Sequence, residues 1–215
     1  MVESRQSEHD RGFSLIELVV AVFIFSVVAA VFLTSAIGML RAATDAESRS
    51  RTASSVIIIT QLLDRQVRYA DSINFPGTGA SGARYIEFRT PSSSSLSGFT
   101  ECTQWRFLPT EGRIESRSWR DSATPTLPAF ATRMSEVMDQ GGVNYPFRML
   151  PVSPSGSLAQ RLEFTIEAGS ERTGSATQVA YVARNSSVLS PGNRDANNDG
   201  QSDPPFVCRP AGSRP

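Results

Sequence analysis

Hydrophobic residues are distributed very unevenly along the chain. The first twelve residues, MVESRQSEHDRG, are polar, whereas residues 13–40, FSLIELVVAVFIFSVVAAVFLTSAIGML, are apolar almost throughout. After Glu17 the next charged residue is Arg41. Residues 18–40 exceed the roughly 20 residues that a helix needs to cross a bilayer core, and they also exceed the ~7–15-residue apolar region of a secretory signal. The pattern therefore predicts a membrane-spanning helix.

A second periodicity follows the apolar stretch. Residues 41–55 contain neither proline nor glycine, so the helix can continue through them, although a break within this segment is an open alternative. Apolar residues then recur at spacings of three and four, which is typical of one buried helix face. These residues are Val56, Ile59, Leu63, Val67, Ala70 and Ile73. The sequence Asn-Phe-Pro-Gly at residues 74–77 predicts the end of the helix.

Residues after position 74 alternate between apolar and polar side chains, as β-strands do. The predicted strands are residues 85–90, 103–108, 113–119, 161–167 and 177–184. The second and third flank the turn sequence Pro-Thr-Glu-Gly and form a predicted hairpin, and the last two can pair across a glycine-containing loop. The serine-rich residues 92–97 predict a flexible connector. Residues 121–160 are rich in proline, glycine and serine and predict no order of elements.

One carboxylate lies inside the apolar stretch. Glu17 sits about one helical turn into it, and an ionisable residue within a membrane is energetically unfavourable and usually functional. Alternatively, Glu17 lies at the membrane interface, where the positive end of the helix dipole favours a carboxylate. That alternative explains a tolerated glutamate, but it does not explain why the polar leader stops at Gly12, directly before the apolar run.

The sequence RGFSLIEL at residues 11–18 resembles the class III signal of type IV pilins, pseudopilins and related filament subunits. In that family a membrane-embedded prepilin peptidase cuts after the glycine on the cytoplasmic side and methylates the new amino terminus. The resemblance implies cleavage between Gly12 and Phe13 and methylation of Phe13. It also implies that Glu17 pairs with the Phe13 amine of a neighbouring subunit during assembly, an ion pair suited to fixing register.

The resemblance implies an α+β, pilin-like fold in which a long N-terminal helix, membrane-spanning in its first half, packs on an antiparallel β-sheet head. It places the protein in the cytoplasmic membrane as a single-pass protein with an extracytoplasmic head, partnered by other pilin or pseudopilin subunits. The expected divisions are a leader at residues 1–12, the transmembrane half of the helix at 13–40, its soluble half at 41–73, and the β-rich head at 74–215.

Two stretches of the head bear a looser resemblance to J-type minor pseudopilins of type II secretion and to PilW-like minor pilins. One is the helix end QLLDRQVRYA at residues 61–70, and the other is the predicted hairpin at residues 104–119. These stretches imply a minor subunit.

The two cysteines, Cys102 and Cys208, are far apart in the sequence. Two separated cysteines beyond a membrane anchor predict one disulfide in an oxidising compartment, and two buried free thiols are the alternative.

Composition argues against catalysis and against a strongly charged partner. The chain has 21 basic and 21 acidic residues and therefore no net field that would attract nucleic acid. The only histidine, His9, lies in the predicted leader, and every basic residue is arginine. Without histidine or lysine in the head, no serine triad or dyad is available. We therefore expect a protein that is not an enzyme and that requires no cofactor.

A calcium ion is one candidate ligand. Oxygen-bearing side chains at alternate positions, with glycine at the sixth, match the first half of a calcium-binding loop. These candidate ligands are Asp195, Asn197, Asp199, Gln201 and Asp203. The twelfth position is Phe206, where an EF-hand has glutamate, and the same residues are also ordinary turn formers. Calcium binding and an unliganded loop both remain open.

Single-stranded nucleic acid is a weaker candidate. Arg113, Arg117 and Trp119 fall on one face of a predicted strand, and arginine beside an aromatic side chain can stack on bases. Glu115 lies between the two arginines, which favours an exposed, solvated hairpin instead.

Three classes of function follow from the sequence. The first is an assembly subunit of a type IV pilus or type II secretion filament. The second is a signal-anchored adhesin or receptor that does not polymerise. The third, a membrane-tethered enzyme, is the least supported, because the head lacks histidine and lysine.

Overall fold

The structure is a computed structural model that describes residues 14–142, 145–153, 156–169 and 174–215. It contains two compact units, Met1–Glu47 and Ser48–Pro215, and each is treated separately below. A single α-helix, α1, has the bounds Leu15–Val67 and includes residues 41–55, where a break was an alternative.

In the first unit the described residues form the N-terminal part of α1. Its large apolar side chains from Leu15 to Leu40 are exposed, and none of its residues in this stretch is buried. By length and composition this helix is able to cross a membrane. The expected transmembrane character of the N-terminal segment is therefore consistent with the structure.

In the second unit the predicted apolar stripe of α1 is buried, and all six residues of the stripe belong to the core. The predicted end of the helix near residue 73 is wrong, because α1 ends at Val67 and residues 72–73 form a strand. Backbone N–H groups of Asp71 and Asn74 donate to the carbonyl oxygens of Arg89 and Glu87, each at 2.9 Å. Ile73 thus continues the buried pattern as part of a sheet.

Ten strands follow α1 within the described residues. They are β1 (Ser72–Ile73), β2 (Gly77–Thr78), β3 (Arg84–Thr90), β4 (Glu101–Leu108), β5 (Arg113–Arg120), β6 (Ala131–Met134), β7 (Val137–Met138), β8 (Phe147–Leu150), β9 (Arg161–Ala168) and β10 (Ser175–Val182). A short 3-10 helix spans Pro191–Asn193.

The strands form two antiparallel sheets. Sheet A has six strands in the order β1-β3-β4-β5-β6, with β2 also paired to β3. Sheet B has four strands in the order β10-β9-β7, with β8 also paired to β9. All five predicted strands are confirmed, as are the β4–β5 hairpin and the β9–β10 pairing. Strands β6, β7 and β8, which lie in the segment left unassigned from the sequence, have only two to four residues and show no extended alternation.

The inner faces of the two sheets and the apolar stripe of α1 enclose one core. Sheet A contributes Ile86, Phe88, Trp105, Phe107 and Ile114, all fully buried. Sheet B contributes a second set, which is Phe147, Met149, Leu162, Phe164 and Ile166. The indole N–H of Trp105 donates to the side-chain oxygen of Gln66 in α1 at 2.9 Å, so the largest core residue is also satisfied as a donor. The α+β, pilin-like architecture is confirmed.

A bidentate ion pair joins the two sheets at one edge of the head. The Arg84 guanidinium of β3 donates to both carboxylate oxygens of Asp139, which follows β7, at 2.6 and 3.0 Å. These hydrogen bonds hold the pKa of Asp139 below its usual value, although partial burial of the carboxylate acts in the opposite direction and raises it. The pair is largely shielded, because the two side chains are 14% and 29% exposed.

The Arg84–Asp139 pair makes the stability of the head pH-dependent. Because the folded pKa of Asp139 is depressed, its stabilisation is complete above the unfolded aspartate pKa of about 3.9 and is lost as pH falls through the lower folded value. We expect Arg84→Gln to reduce the free energy of unfolding by about 1 kcal/mol at neutral pH and by less below that window. Denaturant unfolding at several pH values measures both effects.

The control for this prediction is Arg148→Gln. Arg148 pairs with Glu163 at 3.3 Å and its side chain is 63% exposed, so its removal should change stability little at any pH. Equal effects of the two substitutions at neutral pH would contradict the prediction.

Candidate functional site

The predicted processing site lies at the start of the described chain. Gly12 and Phe13 fall outside the described residues. Immediately after them, the backbone N–H of Leu18 donates to the carbonyl oxygen of Ser14 at 3.2 Å, and α1 begins at Leu15. The helix therefore starts within three residues of the predicted scissile bond.

Glu17 lies in the first turn of α1 and is exposed. Its position near the helix N-terminus is favourable for a carboxylate, because unpaired backbone N–H groups carry partial positive charge there. Leu15, Ile16 and Leu18 beside it are also exposed, so the carboxylate lies among apolar side chains. Across the described residues no cation forms an ion pair with Glu17. An uncompensated charge at this position is energetically unfavourable within a bilayer.

The disulfide predicted from the sequence is present in the structure. Cys102 of β4 and Cys208 of the C-terminal segment are joined, with their Cα atoms 5.3 Å apart. Both are buried with Trp119 and Val207 in a small apolar cluster on sheet A. The bond closes a loop with a sequence separation of 106 residues, which corresponds to an upper value of about 4–5 kcal/mol in the loop-entropy model. It attaches the end of the chain to the sheet.

A row of polar side chains crosses the outer face of sheet A, opposite the core. Glu87, Gln104 and Arg117 lie directly opposite one another on β3, β4 and β5. The Gln104 amide donates to Glu87 Oε1 at 2.9 Å, and Arg117 Nε donates to Gln104 Oε1 at 2.9 Å. Because Glu87 and Gln104 are fully buried, something has to cover this face.

The covering group is the C-terminal segment, and its central contact is an ion pair between Glu87 and Arg214. Arg214 Nε donates to Glu87 Oε1 at 2.8 Å, and Arg214 Nη2 donates to Oε2 at 2.6 Å. Asn74 Nδ2 adds a longer hydrogen bond to Oε2 at 3.3 Å. The Arg214 side chain is 8% exposed, so a buried carboxylate is matched by a buried, bidentate guanidinium.

Sequence analysis did not identify this ion pair. The only local signal is a glutamate in the middle of an apolar strand, Tyr-Ile-Glu-Phe at residues 85–88. An alternating strand normally directs such a residue to solvent, and nothing nearby indicates that a residue 127 positions later covers it.

The arginines considered for nucleic-acid contact are engaged within the head. Arg117 donates to Gln104 and, at 2.8 Å, to the carbonyl oxygen of Ser213. Burial and the nearby Arg106 guanidinium lower the pKa of Arg117. Arg113 pairs with Glu111 and Glu115.

The ring of Trp119 is buried in the disulfide cluster. The face formed by these arginines and this tryptophan is therefore largely used in internal packing.

The predicted calcium loop is closed by its own hydrogen bonds. Asp195 Oδ1 and Oδ2 accept the backbone N–H groups of Asp199 and Gly200 at 2.9 and 3.0 Å. Asp203 Oδ2 accepts the N–H of Ala196 at 2.7 Å. Gly200 has a φ of +76°, which glycine adopts without strain.

Among the described residues, no group of three or more His, Cys, Asp or Glu side chains is arranged to hold a metal ion. The side chains of Asn197 and Asp199 are hydrogen-bonded to each other at 3.0 Å. Calcium binding, with the ligands Asp195, Asn197, Asp199, Gln201 and Asp203, stays a prediction.

The Glu87–Arg214 pair provides a stability test. We expect Arg214→Ala to reduce the free energy of unfolding by about 3–5 kcal/mol, because it leaves a buried carboxylate without its counter-charge. The double substitution Glu87→Gln with Arg214→Ala should recover part of this loss. Denaturant unfolding of the full chain in detergent measures these differences.

Arg209→Ala is the matched control, because Arg209 lies in the same segment and stacks on Phe206 at 4.3 Å but forms no ion pair with a carboxylate of the described residues. A similar loss of stability for Arg209→Ala and Arg214→Ala would show that the segment is held by something other than Glu87.

Comparison with known proteins gives one match. Residues 9–33 match the family model described as the prokaryotic N-terminal methylation motif. No curated protein and no solved structure matches the chain. The matched residues include Gly12, Phe13 and Glu17 and extend into the exposed apolar part of α1. The chain therefore carries a prepilin-type N-terminal methylation motif, and an α+β head follows it in the sequence.

Proposed function

We propose that this protein is a minor pilin or pseudopilin, a structural subunit of a type IV pilus or a type II secretion filament. The observation that carries the proposal is the methylation motif at residues 9–33, which includes the start of a helix whose large apolar side chains are exposed. Prepilin peptidase would cleave between Gly12 and Phe13 and methylate Phe13. The glycine suits this reaction, because its backbone can lie extended in a narrow active site.

The proposed location is the cytoplasmic membrane, with a single transmembrane helix and an extracytoplasmic head. The apolar part of α1 supports the membrane location, since it is long enough to span a bilayer. The Cys102–Cys208 disulfide supports an extracytoplasmic head, because disulfides persist in oxidising compartments.

Glu17 is the proposed assembly residue. Its carboxylate has no cationic partner among the described residues, and cleavage after Gly12 would create an amine at Phe13, four residues earlier. An ion pair between Glu17 of one subunit and the Phe13 amine of its neighbour would compensate both charges away from water and set the register of the two helices.

The assignment as a minor subunit is supported by the end of α1 and by the β4–β5 hairpin, the two stretches with resemblance to J-type pseudopilins and PilW-like pilins. In the structure these stretches contact each other, since Trp105 in the hairpin donates to Gln66 near the end of α1. The proposed partners are other pilin or pseudopilin subunits, and the proposed role is binding rather than catalysis.

Processing is tested by the mass of the mature chain. In cells with an active prepilin peptidase, we expect a protein that starts at N-methylated Phe13, as measured by intact-mass and N-terminal peptide mass spectrometry. Gly12→Val should block cleavage, because a branched side chain would not fit the extended site, whereas Ser14→Ala should be cleaved normally. A wild-type chain that keeps residues 1–12 in such cells would contradict the proposal and favour a signal-anchored adhesin or receptor.

Assembly is tested by Glu17→Gln, which keeps the size of the side chain and removes its charge. We expect processing to continue and incorporation into filaments with partner subunits to be lost, as measured by co-purification with sheared filaments. Thr34→Val is the control, because within the part of the chain that the structure describes the Thr34 hydroxyl bonds only to backbone oxygens of its own helix. Normal incorporation of Glu17→Gln would show that the carboxylate does not pair with a neighbouring subunit.

A further inference from the structure

The end of the chain, residues 209–215, is attached to sheet A as a separate short segment. None of these residues belongs to a strand. Ser213 N–H donates to the carbonyl oxygen of Pro210 at 3.1 Å, and Gly212 has a φ of +72°, so the middle of the segment is an exposed turn. The hydrogen bonds that the segment forms with the rest of the described head come from residues 213–215. The segment is thus held at its two ends, by the disulfide and by its last three residues.

The site that receives these three residues is specific for a guanidinium group. Glu87 is fully buried, and both of its carboxylate oxygens accept hydrogen bonds from Arg214 in a fork geometry that a lysine side chain does not reproduce. The ring of Tyr85 lies beside the guanidinium, with its centroid 5.9 Å from Arg214 Cζ. Gln104 and Asn74 hold the carboxylate from the other sides.

The main chain on either side of Arg214 is also recognised. The carbonyl oxygen of Ser213 accepts a hydrogen bond from Arg117 Nη2 at 2.8 Å. A main-chain oxygen of Pro215 accepts three hydrogen bonds. Their donors are the Ser81 N–H at 3.2 Å, the Ser81 hydroxyl at 2.7 Å and the Tyr85 hydroxyl at 3.2 Å. Residues 213–215 are therefore held by one side chain, that of Arg214, and by two main-chain oxygens.

Two glycines leave the space that the tripeptide occupies. A Cβ atom at Gly79 would lie 2.7 Å from the Pro215 oxygen and 2.6 Å from the Tyr85 ring, and a Cβ atom at Gly77 would overlap Arg214 Nη1. Neither glycine has a positive φ, so neither is required by the backbone conformation. Their lack of a side chain is explained by the close approach of the segment.

We propose that the outer face of sheet A is a binding site for an arginine-bearing peptide segment, filled in this structure by the chain's own residues 213–215. The site consists of the Glu87 carboxylate, the hydrogen-bond donors of Ser81, Tyr85 and Arg117, and the space above Gly77 and Gly79. Recognition depends on these groups rather than on the covalent connection through residues 209–212, so the same segment binds when it is supplied as a separate peptide. This activity is independent of filament assembly.

The test uses the chain truncated after Arg209, in detergent, with the acetylated peptide PAGSRP as the probe. We expect saturable binding in calorimetry and a higher melting temperature in the presence of the peptide. The peptide PAGSKP should bind at least about tenfold more weakly, because lysine lacks the fork. Glu87→Gln in the truncated chain should weaken PAGSRP binding by a similar factor. The full chain should bind PAGSRP much more weakly than the truncated chain, because its own segment competes at a high effective concentration.

Absence of PAGSRP binding to a folded truncated chain would overturn the proposal, as would equal binding of PAGSRP and PAGSKP. If truncation prevents folding, the full-length Arg214→Ala chain replaces it, with low-millimolar guanidinium chloride as the probe. We then expect guanidinium to raise the melting temperature of Arg214→Ala but not that of Arg214→Ala with Glu87→Gln. The same change in melting temperature in these two variants would also overturn the proposal.

Gly77→Ala, which removes the space for Arg214, should lower the stability of the full chain and reduce the affinity of the truncated chain for PAGSRP.

Discussion

The apolar surface of α1 in the first unit is the feature on which the proposed biology of this protein depends. The large apolar side chains from Leu15 to Leu40 are exposed, and the described chain buries none of them. Exposure of such a surface to water is strongly unfavourable, at roughly 25 cal/mol for each Å² of apolar area. The surface must therefore be covered by lipid or by other proteins. The proposed membrane anchor, which would later pack among neighbouring helices, would satisfy this requirement in both states.

The functional interest of Glu17 depends on the apolar surface that surrounds it. A carboxylate at the first turn of a solvated helix is unremarkable in physical terms, because the helix dipole favours it. The same carboxylate among exposed leucine and isoleucine side chains has to be compensated once water is removed. Under the proposed function, the amine that cleavage would create at Phe13 would be a suitable partner in a neighbouring subunit. Anchoring and the proposed assembly would then both depend on this one arrangement of residues.

In the head, by contrast, both faces of the larger sheet are covered by the chain itself. The inner face of sheet A packs its aromatic and aliphatic residues against α1, as an amphipathic sheet normally does. Its outer face carries a row of polar groups, and it is closed by a disulfide and by an arginine from the end of the chain. The C-terminal segment therefore both packs on the outer face and supplies the counter-charge of its buried carboxylate.

The sequence by itself determined the elements that depend on local periodicity. The apolar run, the stripe from Val56 to Val67 and the alternation in β9 each follow from the spacing of side chains along one segment, so they could be read without the fold. The disulfide was also accessible, because only two cysteines exist. The end of α1 could not be predicted from the sequence, because Ile73 fits both a helical pattern and a strand. Only its pairing with β3 shows that it belongs to a strand.

The tertiary structure alone decided the short strands β6 to β8 and the partner of Glu87. Strands of two to four residues are stabilised by their neighbours in the sheet rather than by any pattern of their own. Glu87 and Arg214 are 127 residues apart, and only the complete fold brings them together and excludes the water that would weaken their attraction. A long-range ion pair has no periodicity, so nothing in the linear sequence marks its two members as partners.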